Sequence, residues 1–527
     1  MTDATPSHPT LVNPHDRAVA LLTVAQLRER EHAAQASLPA HTLMARAGAS
    51  AAHFLREQIV HAPSPVSAKP VWFAAGPGNN GGDALVAAAA LKRAGIDCEV
   101  CMPVEVKPDD ARWALAEARA AGVPITQTPP ASFDAYGWLV DGLFGIGLTR
   151  ALDGEFGALA ERLSARTRHH GHVLALDVPS GLDSDTGNVV GGGPALRASH
   201  TITFIGAKPG LYTGVGRDYA GVVSVAPIGI DVEVSLHSAD IALLNATALF
   251  GPSMPARDFA THKGSFGTLA VVGGETGMCG APILAARAAL LAGAGKVNVG
   301  FLGSDAPPYD APHPELMLHN AGKLALDAMS AVAAGCGMGT SASARQLVER
   351  ILRLDAAVLL DADALNLVAR DDALAAHVSE HGRTRGAPCV LTPHPLEAAR
   401  LLGADTAAVQ RDRLASARAL ASRFDAVVVL KGSGTVIAAP DGRLAINPTG
   451  NAALATGGTG DVLGGIIGAL LAQRLPPFEA ALAGVYLHGL AADALVAQGD
   501  GPAGLAAGEL APMVRRLMNR LFYAPKE

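Results

Sequence analysis

The chain has no long run of charge of one sign, and charged residues make up only 17% of its 527 positions. With a formal net charge of -7 and a pI near 6.2, it lacks the basic surface that a nucleic-acid groove or a polybasic membrane patch requires. Cysteine is scarce and odd in number. Cys98, Cys101, Cys279, Cys336 and Cys389 lie mostly in apolar segments, which argues for reduced, buried thiols rather than a disulfide framework. Cys98-Glu99-Val100-Cys101 spells CxxC, but it falls in an expected strand without a second ligand pair, so no zinc or redox role is read into it. No stretch reads as long enough to cross a membrane, and the N-terminus, with Asp3 and several prolines, lacks a basic-plus-apolar signal. A cytoplasmic protein is expected. A Walker-type G-x-x-x-x-G-K-[ST] run is also missing, which excludes a P-loop.

Glycine (59) and proline (34) are plentiful, and they sit at the ends of apolar runs rather than in low-complexity tracts. The length suggests two domains. After a polar leader, Leu21 to Leu55 is Ala-rich with helical spacing. A strand–loop–helix rhythm follows, with short apolar strands expected at 71–75, 98–102, 138–140, 173–176, 201–205 and 222–226. It restarts at 269–272 and continues through 297–299, 358–360, 390–391 and 427–430. Alternation of this kind implies an α/β fold with parallel sheets covered on both faces. The segment Asp231 to Lys263 separates the two series, giving expected domains of 1–235 and 236–527.

In the first half, Gly76-Pro77-Gly78-Asn79-Asn80-Gly81 follows a strand and opens a helix, so it spells G-x-G-x-x-G in context. Two amides and Asp83 at the helix start suit ribose hydroxyls, a carboxamide or a cation better than a pyrophosphate. Asp141, Asp177 and Lys208 also follow apolar strands, and in a doubly wound sheet such strand ends open onto one crevice. The leader Thr23 to Glu31, the Leu43-Met44-Ala45-Arg46-Ala47-Gly48 run, GPGNNGGD, DGLFGIGL, DVPSG and Lys208-Pro209-Gly210 together resemble the NAD(P)HX epimerase family over residues 20 to 230. That resemblance implies a Rossmann-like domain in which Asn80, Asp141 and Ser180 hold a potassium ion. It further implies that Asn79, Asn80, Gly81, Gly82 and Asp83, the loop Gly145, Ile146, Gly147, Leu148, Thr149, Arg150 and Ala151, and Asp177 hold the hydrated nicotinamide nucleotide. Inverting a hydroxyl-bearing ring carbon needs a base that takes and returns a proton, and Asp141 and Asp177 are both candidates. One departure is Ala84, where the family's loop ends in Gly; a positive φ there would strain Ala.

In the second half, Gly457-Gly458-Thr459-Gly460-Asp461 runs into a buried helix, where free N–H groups and glycines seat a phosphate. An acid beside a phosphate has one natural task, taking a proton from the hydroxyl that meets the phosphoryl group. Lys431, Gly432, Ser433, Gly434 and Thr435 supply amides and a cation, and Gly460 completes the anion hole. HKGSFGTLAVVGG, GAPILAARAALLAGAGKV, DADALN, TPHP, KGSGTVI and NPTGNAALATGGTGD resemble the ADP-dependent NAD(P)HX dehydratases of the ribokinase-like fold, over residues 255 to 520. By that resemblance Ala281, Gly339, His394 and Asp461 line the substrate, Lys431 to Thr435 and Gly460 contact the adenine nucleotide, and Mg2+ accompanies ADP. Two departures from the family are Gly-Cys-Gly-Met-Gly at 335–339 and Leu396 in place of Gly.

The combined expectation is metabolite repair of NADHX and NADPHX: epimerisation, then ADP-dependent dehydration of the S-epimer through a transient phosphate ester, by a homo-oligomer. The competing reading is a ribokinase-like kinase of a small vitamin-type alcohol with a nucleotide-sensing first half.

Overall fold

The structure, a computed structural model, describes residues 10–11, 18–61, 69–169, 171–232, 239–385 and 389–524. The chain divides into two compact units, the first of 1–13 and 19–235 and the second of 14–18 and 236–527. Most of the polar leader lies outside the described residues.

The first unit is built on a sheet in the order Thr10–Leu11, Val222–Ala226, His200–Phe204, His172–Leu176, Trp138–Gly142, Val71–Ala75, Cys98–Cys101 and Ile125–Thr126. Only the Thr10–Leu11 pairing is antiparallel. Val71–Ala75 and Trp138–Gly142 read VWFAA and WLVDG with every residue buried, the pattern of strands covered on both faces. Strand order reverses at this pair, so its C-terminal ends open the crevice where doubly wound sheets bind ligands. The stretch with helical spacing over 21–55 forms two helices, Val24–Gln35 and Thr42–His61, separated where Pro39 intervenes and His41 takes a φ of +65°. Thr23 and Gln26 start the first of them with a reciprocal capping box.

The second unit orders its strands as Met317–Asn320, Lys296–Phe301, Thr268–Gly273, Ala331–Ala334, Ala357–Leu360, Val390–Leu391, Val427–Leu430, Val436–Ala438, Leu444–Ile446 and Ala242–Leu244. All neighbours are parallel except Val436–Ala438, which is antiparallel to both of its own. Helices Gly280–Leu291 and Thr459–Ala472 pack so closely that a Cβ on Gly465 would lie 2.0 Å from the Ala285 carbonyl oxygen. The expectation that nothing is long enough to cross a membrane needs correcting. Pro477–Gln498 has 22 residues and a mean hydropathy of 1.5, but 72% of that window is buried inside the unit, where it serves as a core helix.

Candidate active sites

In the first unit, a cleft of about 550 Å³ opens at the strand-order reversal, lined in part by Asn79, Asn80, Asp83, Gly145, Asp177 and Lys208. Ile146, Gly147 and Leu148 also line it, whereas Gly81, Gly82, Thr149, Arg150 and Ala151 do not. Gly81 and Gly82 have a packing reason instead. A Cβ on Gly81 would sit 1.9 Å from the Gly76 carbonyl oxygen, and one on Gly82 2.6 Å from the Met44 side chain. Ala84 lies within helix Asn79–Arg93 and is not among the positive-φ residues, so it carries no strain.

The two candidate bases occupy different places. Asp141 is fully buried behind the cleft wall. Its carboxylate accepts from Ser180 Oγ (2.7 Å), Ser180 N (2.9 Å) and Leu143 N (3.1 Å). Burial raises its pKa to about 6 and those hydrogen bonds pull it back. Ser180 Oγ also accepts from Phe144 N at 2.9 Å. Asn80, more than nine-tenths buried, has no partner for its side-chain oxygen or nitrogen.

Asp177, by contrast, lines the cleft with a φ of +66°. Its Oδ1 is 2.7 Å from Lys208 Nζ and its Oδ2 accepts from Ile146 N at 3.3 Å. Lys208 is buried and also donates to Thr203 Oγ1 (2.6 Å) and the Phe204 carbonyl (2.8 Å). Its pKa is lowered by burial against the pull of Asp177 and Glu31. Burial, then Asp177, Glu31 and Asp110, hold the Asp83 carboxyl well above the usual range. Glu31, reached from helix Val24–Gln35, is raised by burial and by Asp177. Among the described residues no three His, Cys, Asp or Glu side chains form a metal cluster.

In the second unit, Asp461 sits in the first turn of helix Thr459–Ala472, whose N-cap Gly458 has a φ of +93°. Burial and then the Asp361 charge raise its pKa to about 6, while Lys431 lowers it. Lys431 Nζ donates to Asp361 Oδ1 at 2.8 Å, and Asp361, Glu397 and Asp461 together hold its pKa up despite burial. A Cβ on Gly460 would lie 3.7 Å from that ammonium nitrogen, so Lys431 faces the helix start. Gly432 (φ +140°) and Gly434 (φ +61°) shape the loop after it, and Thr435 Oγ1 donates to the Gly432 carbonyl at 3.1 Å. Ser433 lies in that same loop. Buried Arg413 donates to the carbonyls of Leu430 (3.1 Å) and Lys431 (3.2 Å).

His394 caps helix Pro395–Leu402: its Nδ1 accepts from Leu396 N (3.0 Å) and Glu397 N (3.3 Å). The neutral ring therefore carries its proton on Nε2, 3.3 Å from Glu397 Oε1. Because only the Leu396 N–H is used and the side chain is exposed, Leu does what Gly would do there. Gly339 (φ +69°) donates its N–H to Asp363 at 2.8 Å, and a Cβ on Gly337 would lie 3.6 Å from Ala281 Cβ. Ala281 and Asp461 thus begin the two helices that touch at Gly465. Motif reading assigned no role to Asp361, which pairs with Lys431, to Arg413, or to the cleft acids Glu31 and Asp110. Asp361 was visible in DADALN; Arg413 lies in an ordinary helix and carries no local signal.

Two family models match the chain: "YjeF-related protein N-terminus" over residues 40–210 and "NAD(P)H-hydrate dehydratase" over residues 269–513. The bifunctional NAD(P)H-hydrate repair enzyme of Escherichia coli is 37% identical over 93% of this chain and 92% of its own length. That of Coxiella burnetii is 38% identical over 94% and 98%. The ADP-dependent (S)-NAD(P)H-hydrate dehydratase of Neisseria meningitidis is 49% identical over 53% of this chain and 94% of its own. Among solved structures, the ADP/ATP-dependent NAD(P)H-hydrate dehydratase of Bacillus subtilis covers 53% of this chain and 98% of its own, with 33% identity and a TM-score of 0.46.

Proposed function

The chain belongs to the family of bifunctional NAD(P)H-hydrate repair enzymes, and from that membership we propose how its two units divide the work. The first, 1–235, interconverts the epimers of NADHX and NADPHX; the second, 236–527, dehydrates the S-epimer at the expense of ADP, releasing AMP and phosphate. The observation that carries this reading is Asp461, a carboxylate tuned to about 6 beside a helix-start phosphate seat and a buried lysine. A base of that pKa is ionised at neutral pH yet basic enough to take a proton from the ring hydroxyl as it meets the terminal phosphoryl group. Lys431 and the amides of Gly432 to Thr435 and Gly460 receive the phosphates, and the resulting ester leaves far more readily than hydroxide. Mg2+ would screen the charge of the phosphates when bound. Ala281, Gly339 and His394 border the substrate.

For the epimerase, we assign the base role to Asp177, because it faces the cleft with Lys208 behind it while Asp141 is sealed. Asp83, its carboxyl pushed up by burial and by the Asp177 charge, lines the same cleft. Asn80, Asp141 and Ser180 fit a potassium ion: the Asn80 amide oxygen is buried without a partner and a buried carboxylate lies in the same wall. The cation would supply positive charge that holds the Asp141 carboxylate ionised. Five unpaired cysteines suit the cytoplasm. Assembly into a homo-oligomer is part of the same reading, testable by light scattering.

Full-length protein with ADP and Mg2+ should consume both NADHX epimers and regenerate the absorbance of reduced nicotinamide. Asp461→Asn should abolish this for both epimers; Asp177→Asn should spare the S-epimer and leave the R-epimer to its uncatalysed rate. Turnover of ATP with a free alcohol, and none of NADHX, would sink the reading in favour of the kinase.

A further inference from the structure

A second hollow of about 380 Å³ adjoins the first unit's cleft and shares Gln35, Leu43, Asn79, Pro108 and Asp110 with it. Asp177, Asp83 and the orphaned Asn80 line the first cleft; none of the proposed chemistry needs the second hollow. One wall of it is His41. That ring is coplanar with Trp113, to within 2° at 4.9 Å between centroids, so one face is covered by the indole. Its edge is pinned by Asp110, whose Oδ1 lies 2.5 Å from Nδ1. The imidazole is only about one-third exposed and is held at a φ of +65°, at the break between the first two helices. The result is a clamped flat ring, one face covered by Trp113, in a residue that borders the second hollow.

Between the two hollows lies the start of helix Asn79–Arg93. A Cβ on Gly78 would meet nothing within 4 Å, so the backbone there is approachable. Lys107 lines the cleft beside it, its N–H anchored on the Pro77 carbonyl at 3.0 Å. A dinucleotide has two nucleosides joined by a diphosphate, and only the nicotinamide end need reach Asp177. The other end would leave the cleft past the open backbone of Gly78 and beside Lys107, whose positive charge suits phosphate oxygens, rather than seat its diphosphate on the helix start itself.

We propose that the second hollow is the adenosine subsite of the epimerase, taking the adenine ring on the face of His41 opposite Trp113. The inference rests on the first unit binding a hydrated nicotinamide dinucleotide, and it adds the place of the half that does not react. Base–aromatic stacking of this sort is worth enough to be measured in a Michaelis constant.

The test uses the full chain and two substrates, NADHX and the hydrated form of reduced nicotinamide mononucleotide, which lacks AMP. In the wild type, losing AMP should raise KM at least about tenfold at similar kcat. His41→Asn keeps a residue that tolerates positive φ and removes the ring. It should raise KM for NADHX about five- to tenfold while leaving both constants for the mononucleotide unchanged. A readout independent of turnover comes from the tryptophans. All three in the chain, Trp72, Trp113 and Trp138, lie in the first unit. Titrated AMP should quench their emission saturably, and His41→Asn should remove that quenching. Equal KM values for the two wild-type substrates, or AMP quenching that survives His41→Asn, would overturn the proposal. If neither NADHX epimer is turned over, the epimerase reading falls, while the quenching still decides whether the hollow takes an adenosine.

Discussion

Asp461 and its two charged neighbours permit a test in which two substitutions must act in opposite directions. The carboxyl is raised from 3.8 to about 6, with burial the largest cause, the Asp361 charge next, and Lys431 opposing both. Because rate requires the ionised form, activity at saturating substrate should fall tenfold per pH unit below about 6. Asp361→Asn removes the repelling charge and leaves Lys431 to act on Asp461, so the acid limb should move down by about one unit, burial remaining in place. At pH 5 the wild type then retains about a tenth of its plateau rate and the variant about half, a relative gain of about fivefold. Lys431→Met should move the limb up by a similar amount, besides weakening nucleotide binding. Asp361→Asn also deprives a buried ammonium of its 2.8 Å partner, costing up to about 3 kcal/mol of stability, so melting temperatures must accompany the kinetics. The assay is single-turnover dehydration of the S-epimer with saturating ADP across pH 4.5 to about 8. If both variants shift the limb the same way, or neither does, Asp461 is not the titrating base.

Three further substitutions separate packing from chemistry. Gly81→Ala drives a methyl to within 1.9 Å of the Gly76 oxygen and should destabilise the first unit by about 3 kcal/mol in denaturant melts, with dehydration of the S-epimer retained. His394→Asn keeps a good N-cap for helix Pro395–Leu402, so stability should change by less than about 1 kcal/mol while dehydration slows; an unchanged rate would reduce His394 to a cap. Leu396→Gly should leave kcat intact and cost about 1 kcal/mol at most, since the exposed side chain contributes only helix propensity.

How far the sequence could be read depended on the kind of signal. Strands such as Val427–Leu430 and loops such as GPGNNGGD announce themselves, because β-branched runs and glycine turns act locally. Ala331–Ala334 does not: AVAA has little strand propensity, and it is a strand because Thr268–Gly273 and Ala357–Leu360 pair with it on both sides. Met317–Asn320 and Val436–Ala438 are likewise fixed by their partners. The chemistry-bearing acids were legible by position after strands, but their ranking was not. That Asp141 is sealed and Asp177 faces the cleft depends on which way each strand end turns, and Asp177 turns through a left-handed φ that favours glycine. Of the three departures, Ala84 and Leu396 carry no backbone strain for the same reason: each lies in a helix, where no positive φ calls for Gly.

The contact at Gly465 has a consequence for how the dehydratase meets its nucleotide. With a carbonyl 2.0 Å from where a Cβ would be, the helices beginning at Gly280 and Thr459 cannot slide past each other without losing that fit. Ala281 and Asp461, at the tips of the pair, are therefore a fixed gauge set by the core. The loop from Lys431 to Thr435 is of another character, with two glycines at positive φ and no helix or strand of its own. On the proposed reading, adjustment on binding would fall to this loop: ADP would be fitted to a stationary Asp461, and selectivity among nucleotides would follow from how far the loop can bend.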